Sequence, residues 1–284
     1  MRDYTPARKI ILDLFAQLSS NAPVHIIDWK NSPEGVRRYL MKRSWFVVFC
    51  LSMAAWLLSA CTMIRGSGEA ITVRRDVSGF DQVALSGVGT LYITVGAEES
   101  LKVEAEDNLL PYIVTEVRGQ TLNIGFKDAG WNVAIQPTEP IKYYLTVTDL
   151  SSLELSGAGN IEVTEIDTPE MRIAASGAGN IEIEKLTAEQ LIMDVSGAGS
   201  CRIHAGEVQD QNLRISGAGG YQAADVRSQK VAVEISGMGG AKVWAEKNLS
   251  VEISGAGSVD YYGQPHISQE ISGVGNIQSL GAKE

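Results

Sequence analysis

The stretch LELSGAGNIEV, residues 153–163, decides the fold, because its central Ser-Gly-x-Gly element recurs along the chain. The eight copies begin at Ser86, Ser156, Ser176, Ser196, Ser216, Ser236, Ser254 and Ser272. The first interval, from Ser86 to Ser156, is long, whereas the later copies follow one another at a nearly constant spacing that shortens slightly for the last two. A fixed period of about 20 residues is typical of a solenoid, in which each repeat stacks on the previous one.

Apolar residues fall into columns when the repeats are aligned on the motif serine. The residue before the serine is apolar in all eight copies, and the residue three before it is apolar in seven, with Gln269 as the exception. Alternate apolar positions indicate a half-buried strand. A second strand of this kind follows the glycines, as at Ile161 and Val163. Each repeat therefore reads as strand, glycine corner, strand and polar turn, with positive φ expected for the corner glycines.

The repeat region has no stretch with the length and the helical period of a crossover helix. Parallel strands need a crossover, and a coil of about 18–20 residues that winds round and returns one strand higher provides it. The sequence therefore predicts an all-β parallel β-helix, with Ile235 facing inward and with Met238 and Tyr221 filling the core. Asn160 and Asn180 are expected to form a polar ladder beside the corner.

A targeting signal precedes the repeats. Residues 41–43 form a positive n-region, residues 45–57 an apolar h-region, and Leu-Ser-Ala-Cys at 58–61 matches a bacterial lipobox. Residues 41–60 thus resemble a lipoprotein signal peptide, with Cys61 as the lipidated residue. The alternative is an uncleaved anchor helix over residues 44–64, which carry no charge. Thr62 is not aspartate, so we expect outer-membrane sorting in a diderm host.

The domain layout follows from these boundaries. Residues 1–40 have no place in the signal, so we expect either a start codon placed too early, with Met41 as the initiator, or a short cytoplasmic tail. Residues 61–70 read as a tether and residues 71–150 as N-terminal β coils with a cap. Residues 151–284 are the repeat β-helix. Its C-terminal end has no obvious cap, and this open end is expected to invite self-association.

Charge and cysteine content limit the partners. Eight of the 24 basic residues and four of the 34 acidic residues lie in residues 1–60, which leaves 16 basic and 30 acidic side chains, a net charge of −14, on the exported part. That balance opposes nucleic acid as a partner. Cys201 is the single cysteine beyond Cys61, so no disulfide stabilises the solenoid. No cofactor motif is present, since the Gly-x-Gly elements are not followed by a phosphate-binding helix.

The chain resembles the putative auto-transporter adhesin head GIN domain family of bacterial envelope proteins over roughly residues 80–280. The resemblance depends on FDQV at 80–83, LYI at 91–93, DNLL at 107–110 and SGAGNI at Ser156 and Ser176. It implies a right-handed β-helix on an exported, often lipid-anchored protein, and it brings no catalytic residues. The later repeats depart from the pattern, because Gly220 and Gly240 replace the asparagine.

One outward column is the candidate site. Glu234, Glu252 and Glu270 lie two residues before successive motif serines and are expected on successive rungs about 5 Å apart. Such a stripe is either a solvated acidic face or a cation or ligand site, and parallel β-helices of this kind include polysaccharide lyases and hydrolases.

These observations lead to three hypotheses about function. The first is a non-enzymatic, lipid-anchored adhesion or envelope-interaction module in the extracytoplasmic cell envelope, with a glycan or an envelope or matrix protein as partner. The second is a carbohydrate-active enzyme that uses the carboxylate stripe. The third is a scaffolding or sensory module of an envelope signalling operon.

Overall fold

The computed structural model describes residues 62–127 and 133–283. Residues 1–40, the signal segment 41–60 and Cys61 lie outside the described residues, as does most of the alternative anchor 44–64, so these assignments stay predictions. In the part of the chain that is described, no helix has the length and apolar character needed to cross a membrane.

Of the described residues, 66% lie in strands, and the regular structure besides the strands is one 3-10 turn at Leu110–Tyr112. The strands are β1 (Thr62–Arg65), β2 (Ala70–Arg75), β3 (Gln82–Leu85), β4 (Thr90–Val95), β5 (Ser100–Glu106), β6 (Ile113–Arg118), β7 (Thr121–Phe126), β8 (Val133–Gln136), β9 (Lys142–Val147), β10 (Ser152–Leu155), β11 (Asn160–Ala175), β12 (Asn180–Val195), β13 (Ser200–Ile203), β14 (Gly206–Ile215), β15 (Gly220–Ile235), β16 (Gly240–Ile253), β17 (Ser258–Tyr262), β18 (His266–Ile271) and β19 (Asn276–Ser279).

From β10 onward the strands stack in parallel with the offset of the repeat. Ile161 of β11 lies beside Ile181 of β12, and Ile253 of β16 lies beside Ile271 of β18, so each residue neighbours its counterpart in the next repeat. The result is a β-solenoid of about six turns, which confirms the predicted fold class. Asn160 accepts a hydrogen bond from the backbone N–H of Asn180 at 3.1 Å, so the predicted polar ladder is present there.

The apolar columns face the interior as predicted. Ile235 has no exposed surface, and Tyr221 is 1% exposed. The prediction for Met238 was wrong: its side chain is 74% exposed, because the middle residue of the motif points outward at the corner. A buried polar cluster interrupts the apolar interior, in which Tyr221 donates a hydrogen bond to Oε1 of Gln211 at 2.8 Å and the Gln211 amide donates to Ser228.

The motif glycines are required for a reason other than the expected one. Only Gly89 among them has positive φ, at 113°. The motif glycines from Gly157 to Gly273 allow adjacent coils to approach closely: a Cβ on Gly177 would lie 1.9 Å from the carbonyl oxygen of Gly157, and one on Gly197 would lie 2.0 Å from that of Gly177. These glycine positions are therefore closed to a side chain by the backbone of the preceding coil, whereas the middle residue of the motif points outward.

In the long interval between the first two motifs, the order of the coils along the stack differs from their order along the chain. β3 pairs in parallel with both β7 and β10, and β4 pairs in parallel with both β9 and β11. The coil that carries Ser86 thus lies between a later coil, built from β7 and β9, and the first of the regular repeats. The β7–β9 coil has no Ser-Gly-x-Gly element, and residues 127–141 connect its two strands.

Antiparallel strands close the N-terminal end of the stack. β5 pairs with β9 and β2 pairs with β5, while β6 pairs with β7, all in antiparallel fashion. β1 forms a separate two-stranded parallel sheet with β8. Residues Thr62–Arg65, which fall in the segment expected to be a tether, are therefore a strand next to the closed end.

A buried carboxylate joins the segment after β1 to the body. Glu106 has no exposed surface and accepts hydrogen bonds from the backbone N–H groups of Gly68 at 2.7 Å and Thr138 at 2.9 Å and from the Thr138 hydroxyl. Burial opposes the ionisation of Glu106, but these hydrogen bonds outweigh it and lower its pKa to about 2. Gly66 is required beside it, since a Cβ there would lie 1.9 Å from the carboxylate.

Candidate functional site

The predicted carboxylate stripe lies on an outward face of the solenoid. The strand register places Glu234 beside Glu252 and Glu252 beside Glu270 on successive rungs, so neighbouring residues are about 4.8 Å apart along the axis. All three are exposed. The structure therefore brings these three residues together in the order that the repeat spacing predicts.

A basic residue neutralises one end of this stripe. Arg214 lies one rung before Glu234, donates to it at 3.1 Å, and also contacts Asp194 at 3.4 Å. The hydrogen bond to Glu234, with the charges of Glu234 and Asp194, raises the pKa of the Arg214 guanidinium above its usual value. The groove beside this ladder has a volume of about 300 Å³ and is lined by Asp194, Arg214, Glu234 and Glu252.

The chemistry open to the stripe is limited by its exposure. Nowhere in residues 62–127 and 133–283 do three or more acidic, histidine or cysteine side chains converge closely enough to hold a metal ion. A retaining glycosidase needs two carboxyl groups about 5 Å apart, a spacing that adjacent rungs supply. However, the Glu234 side chain is 47% exposed, so water is not excluded from it.

A second groove lies on a different outward face, near the closed end. Tyr92 of β4 and Tyr144 of β9 stack on adjacent rungs, with ring centroids 5.4 Å apart and ring planes 16° apart. Lys142, in the same strand as Tyr144, forms an ion pair with Glu104 at 2.8 Å, and the Tyr144 hydroxyl donates to Glu104 at 3.4 Å. The hydrogen bond from Lys142 lowers the pKa of Glu104. Glu104 of β5 thus helps to hold the stacked tyrosine rings in place.

This tyrosine groove continues from the stacked rings onto the next two rungs. Its volume is about 410 Å³. The polar and aromatic lining residues are Tyr92, Thr94, Tyr144, Glu162, Thr164, Glu182 and Glu184. Aromatic rings beside hydroxyl and carboxylate groups match the surface of a sugar, which has apolar C–H faces and polar rims.

Sequence reasoning missed this groove. Near the C-terminal end, the rings of Trp244 and Tyr262 are instead contacted by Lys283, whose Nζ lies 5.2 Å and 4.9 Å from the two ring centroids. A signal for the tyrosine pair exists, because Tyr92 and Tyr144 each stand third in a six-residue strand. What the sequence does not show is that these two strands, which are far apart along the chain, lie side by side.

Comparisons with known proteins agree with the fold. A family model described as "Putative auto-transporter adhesin, head GIN domain" matches residues 79–265. The chain is similar to the crystal structure of a "putative adhesin" from Bacteroides fragilis, with 25% identity over 76% of this chain and 100% of that chain and a TM-score of 0.72. No curated protein matches the chain.

Two further solved structures share the fold. A "putative adhesin" from Parabacteroides distasonis has 22% identity over 77% of this chain and 100% of that chain, with a TM-score of 0.63. A "putative lipid binding protein" from the same species has 26% identity over the same shares, with a TM-score of 0.57. Because the family match covers more than half of the sequence, the chain belongs to the family of the auto-transporter adhesin head GIN domain.

Proposed function

We propose that this protein is a non-enzymatic adhesion module of the bacterial cell envelope and that it binds a glycan in the tyrosine groove. The observation that carries the proposal is the Tyr92–Tyr144 stack, which faces outward beside the hydroxyl groups of Thr94 and Thr164 and three glutamates. Each pyranose ring of a glycan has an apolar face that packs on an aromatic ring and hydroxyl groups that bond to carboxylates. Membership of a family named for adhesins supports the same proposal.

A binding array tests this function directly. Residues 61–284 form one compact unit that holds the hydrophobic core found among the described residues, so the 62–284 fragment is suited to glycan and matrix-protein arrays. We expect glycan binding by the parent fragment, at least a tenfold weaker signal for Tyr92→Ala, and an unchanged signal for Glu252→Gln, which alters only the carboxylate stripe. Absence of glycan binding, or equal binding by Tyr92→Ala, would contradict the proposal.

The enzymatic alternative makes the opposite prediction for the stripe. The spacing of Glu234 and Glu252 is the observation in its favour. If the protein degrades polysaccharide, with or without calcium, and Glu252→Gln abolishes the turnover, the protein is a carbohydrate-active enzyme. We expect no turnover by the parent fragment in such a screen.

We further propose that the protein is exported and anchored through lipid at Cys61. The n-region, h-region and lipobox of residues 41–61 support this proposal. Metabolic labelling with palmitate is expected to label the full-length chain and not the Cys61→Ala variant. Labelling of Cys61→Ala would contradict the lipid anchor at Cys61, and absence of label from both chains would favour the anchor helix over residues 44–64.

A further inference from the structure

The last rung of the solenoid exposes residues of the inward columns. Leu249 and Ile253 of β16 are 1% and 0% exposed, whereas the next residues in the same columns, Ile267 and Ile271 of β18, are 36% and 40% exposed. Between them, Gln269 follows Val251 in its column and is also exposed. These three side chains belong to the core by register and lack only the rung that would cover them.

The backbone of the last rung is also available. Among the described residues, β18 pairs only with β16 and β19 pairs only with β17, so each has one edge without a neighbouring strand. Residues 280–283 do not cover β18, because Leu280 and Gly281 bond to β17 and its end, and Lys283 contacts Asp225 at 2.6 Å. An edge of this kind is a template for pairing with another strand.

The properties of β18 favour a second copy of this chain as the occupant. Edge strands that avoid pairing carry lysine, proline or inward-pointing charges, but the inward residues of β18 are Ile267, Gln269 and Ile271. The opposite end of the stack carries the antiparallel strands β2, β5 and β6 in place of a regular parallel rung, so β18 meets no matching rung there for head-to-tail stacking. A contact between two C-terminal ends, related by a two-fold axis, remains open and is self-limiting.

We infer that two copies of this protein associate end to end through β18, in an antiparallel pair whose two-fold axis passes through Gln269. In this register Ile267 faces the partner's Ile271, and Gln269 faces the partner's Gln269, so that the two amides bond across the axis. Ser268 faces the partner's Glu270, and no two glutamates of the pair are directly opposed. The register also accounts for the one polar residue in an otherwise apolar column.

The arrangement places the two N-terminal ends far apart. β9 at the closed end and β19 at the open end are separated by eight strand spacings, or roughly 40 Å in each copy. If Cys61 carries lipid, as proposed above, the two anchors lie at opposite ends of the dimer. The dimer then joins two facing membranes rather than two sites on one membrane. This part of the inference rests on the proposed adhesion function and names a second copy as an additional partner.

Sedimentation velocity over a range of concentrations tests the self-association. We expect the 62–284 fragment to show a monomer–dimer equilibrium, and Ile271→Lys and Gln269→Lys to weaken it at least tenfold by placing charges in the contact. Ser250→Lys is the matched control, since it adds the same charge one rung earlier on the outward face. Because the last rung is already exposed, circular dichroism and the melting temperature should be unchanged in all three variants.

The outcomes separate this inference from the proposed function. A fragment that stays monomeric at all concentrations, or an Ile271→Lys variant that dimerises like the parent, overturns the inference whatever the glycan array shows. Failure of the glycan array with an intact dimer overturns the glycan proposal alone. For the facing-membrane arrangement, the fragment is attached to nickel-lipid vesicles through an N-terminal histidine tag. Clustering of vesicles by the parent and not by Ile271→Lys is expected, and dimerisation without clustering overturns that arrangement.

Discussion

At the scale of single residues, the motif glycines determine how tightly the coils stack. The expectation of positive φ at the corner was wrong for all of them except Gly89, because the corner turns within ordinary backbone geometry. What excludes a side chain is the carbonyl oxygen of the preceding coil, which lies far inside van der Waals distance of the position of a Cβ. Backbone cannot move aside as a flexible side chain does, so the requirement is strict.

Gly197→Ala is therefore expected to destabilise the fold by about 1–3 kcal/mol, the usual cost of overpacking a tightly packed site. Its Cβ would lie 2.0 Å from the Gly177 carbonyl oxygen. The free energy of unfolding in urea measures the effect. Ala198→Ser, at the exposed middle position of the same motif, is the control and should unfold like the parent. Equal stability of Gly197→Ala and the parent would show that the coils are spaced more widely than in the structure.

The lowered pKa of Glu106 predicts how the stability of the fold depends on pH. Its pKa is lowered in the folded protein from 4.5 to about 2, so the ionised side chain stabilises the fold above pH 4.5. As the pH falls from 4.5 to 2, the unfolded chain binds the proton first, and this contribution is lost. We expect the melting temperature of the parent to exceed that of Glu106→Gln at pH 7 and the difference to shrink between pH 4.5 and pH 2. A difference that does not change over this range would contradict the assignment.

At the scale of the coil, neighbouring rungs provide each other's core. Ile235 illustrates this dependence, since its side chain has no exposed surface and its neighbours along the column are Ile215 and Ile253. A coil on its own buries too little apolar surface to offset the entropy lost on ordering it. A substitution that disrupts the packing of one rung is therefore expected to destabilise the adjacent rungs as well.

Ile235→Asp is expected to unfold several neighbouring coils together, at a cost of roughly 4 kcal/mol or more, because it places an unpaired charge in the apolar column. Met238→Asp adds the same charge in the same coil at a 74% exposed position and should have little effect. Thermal melting followed by circular dichroism measures the loss of stability, and hydrogen exchange shows how many rungs open. If Ile235→Asp melts like Met238→Asp, the inward column is misassigned.

Much of the repeat could be predicted from the sequence, because the alternation within a strand and the period of the coil are both local patterns. The columns around Ile235, the polar ladder at Asn160 and Asn180, and the order of the glutamate stripe all follow from them. The buried Gln211–Tyr221 hydrogen bond could not be predicted, since it joins residues at different positions of two coils. Nor could the tyrosine groove, which depends on pairing between strands that share no motif.

At the scale of the whole molecule, the core is one continuous column with no disulfide among the described residues. Cys201 is fully buried in it, and burial raises the pKa of its thiol to about 12. Because a protonated, buried thiol is unreactive, the rate at which Cys201 is alkylated indicates whether the stack is folded.

The 62–284 fragment should therefore resist alkylation at Cys201 in native buffer and react fully in urea. If the stack unfolds as a unit, the loss of protection should follow the same urea midpoint as circular dichroism. An exposed thiol introduced as Met238→Cys is the control and should react at once without urea. Rapid alkylation of Cys201 in native buffer would contradict its burial.

The displaced coil that carries Ser86 has a consequence for assembly. A polypeptide that emerges N-terminus first, from a ribosome or a translocation channel, presents β3 and β4 before either of the coils that flank them. Both of their edges stay unpaired until residues 121–163 have followed, and unpaired edges are prone to aggregation. The regular repeats after Asn160, in contrast, can each dock on the coil just completed. Nascent chains that end before β9 therefore lack a neighbouring strand on both edges of β4 and are expected to be prone to aggregation.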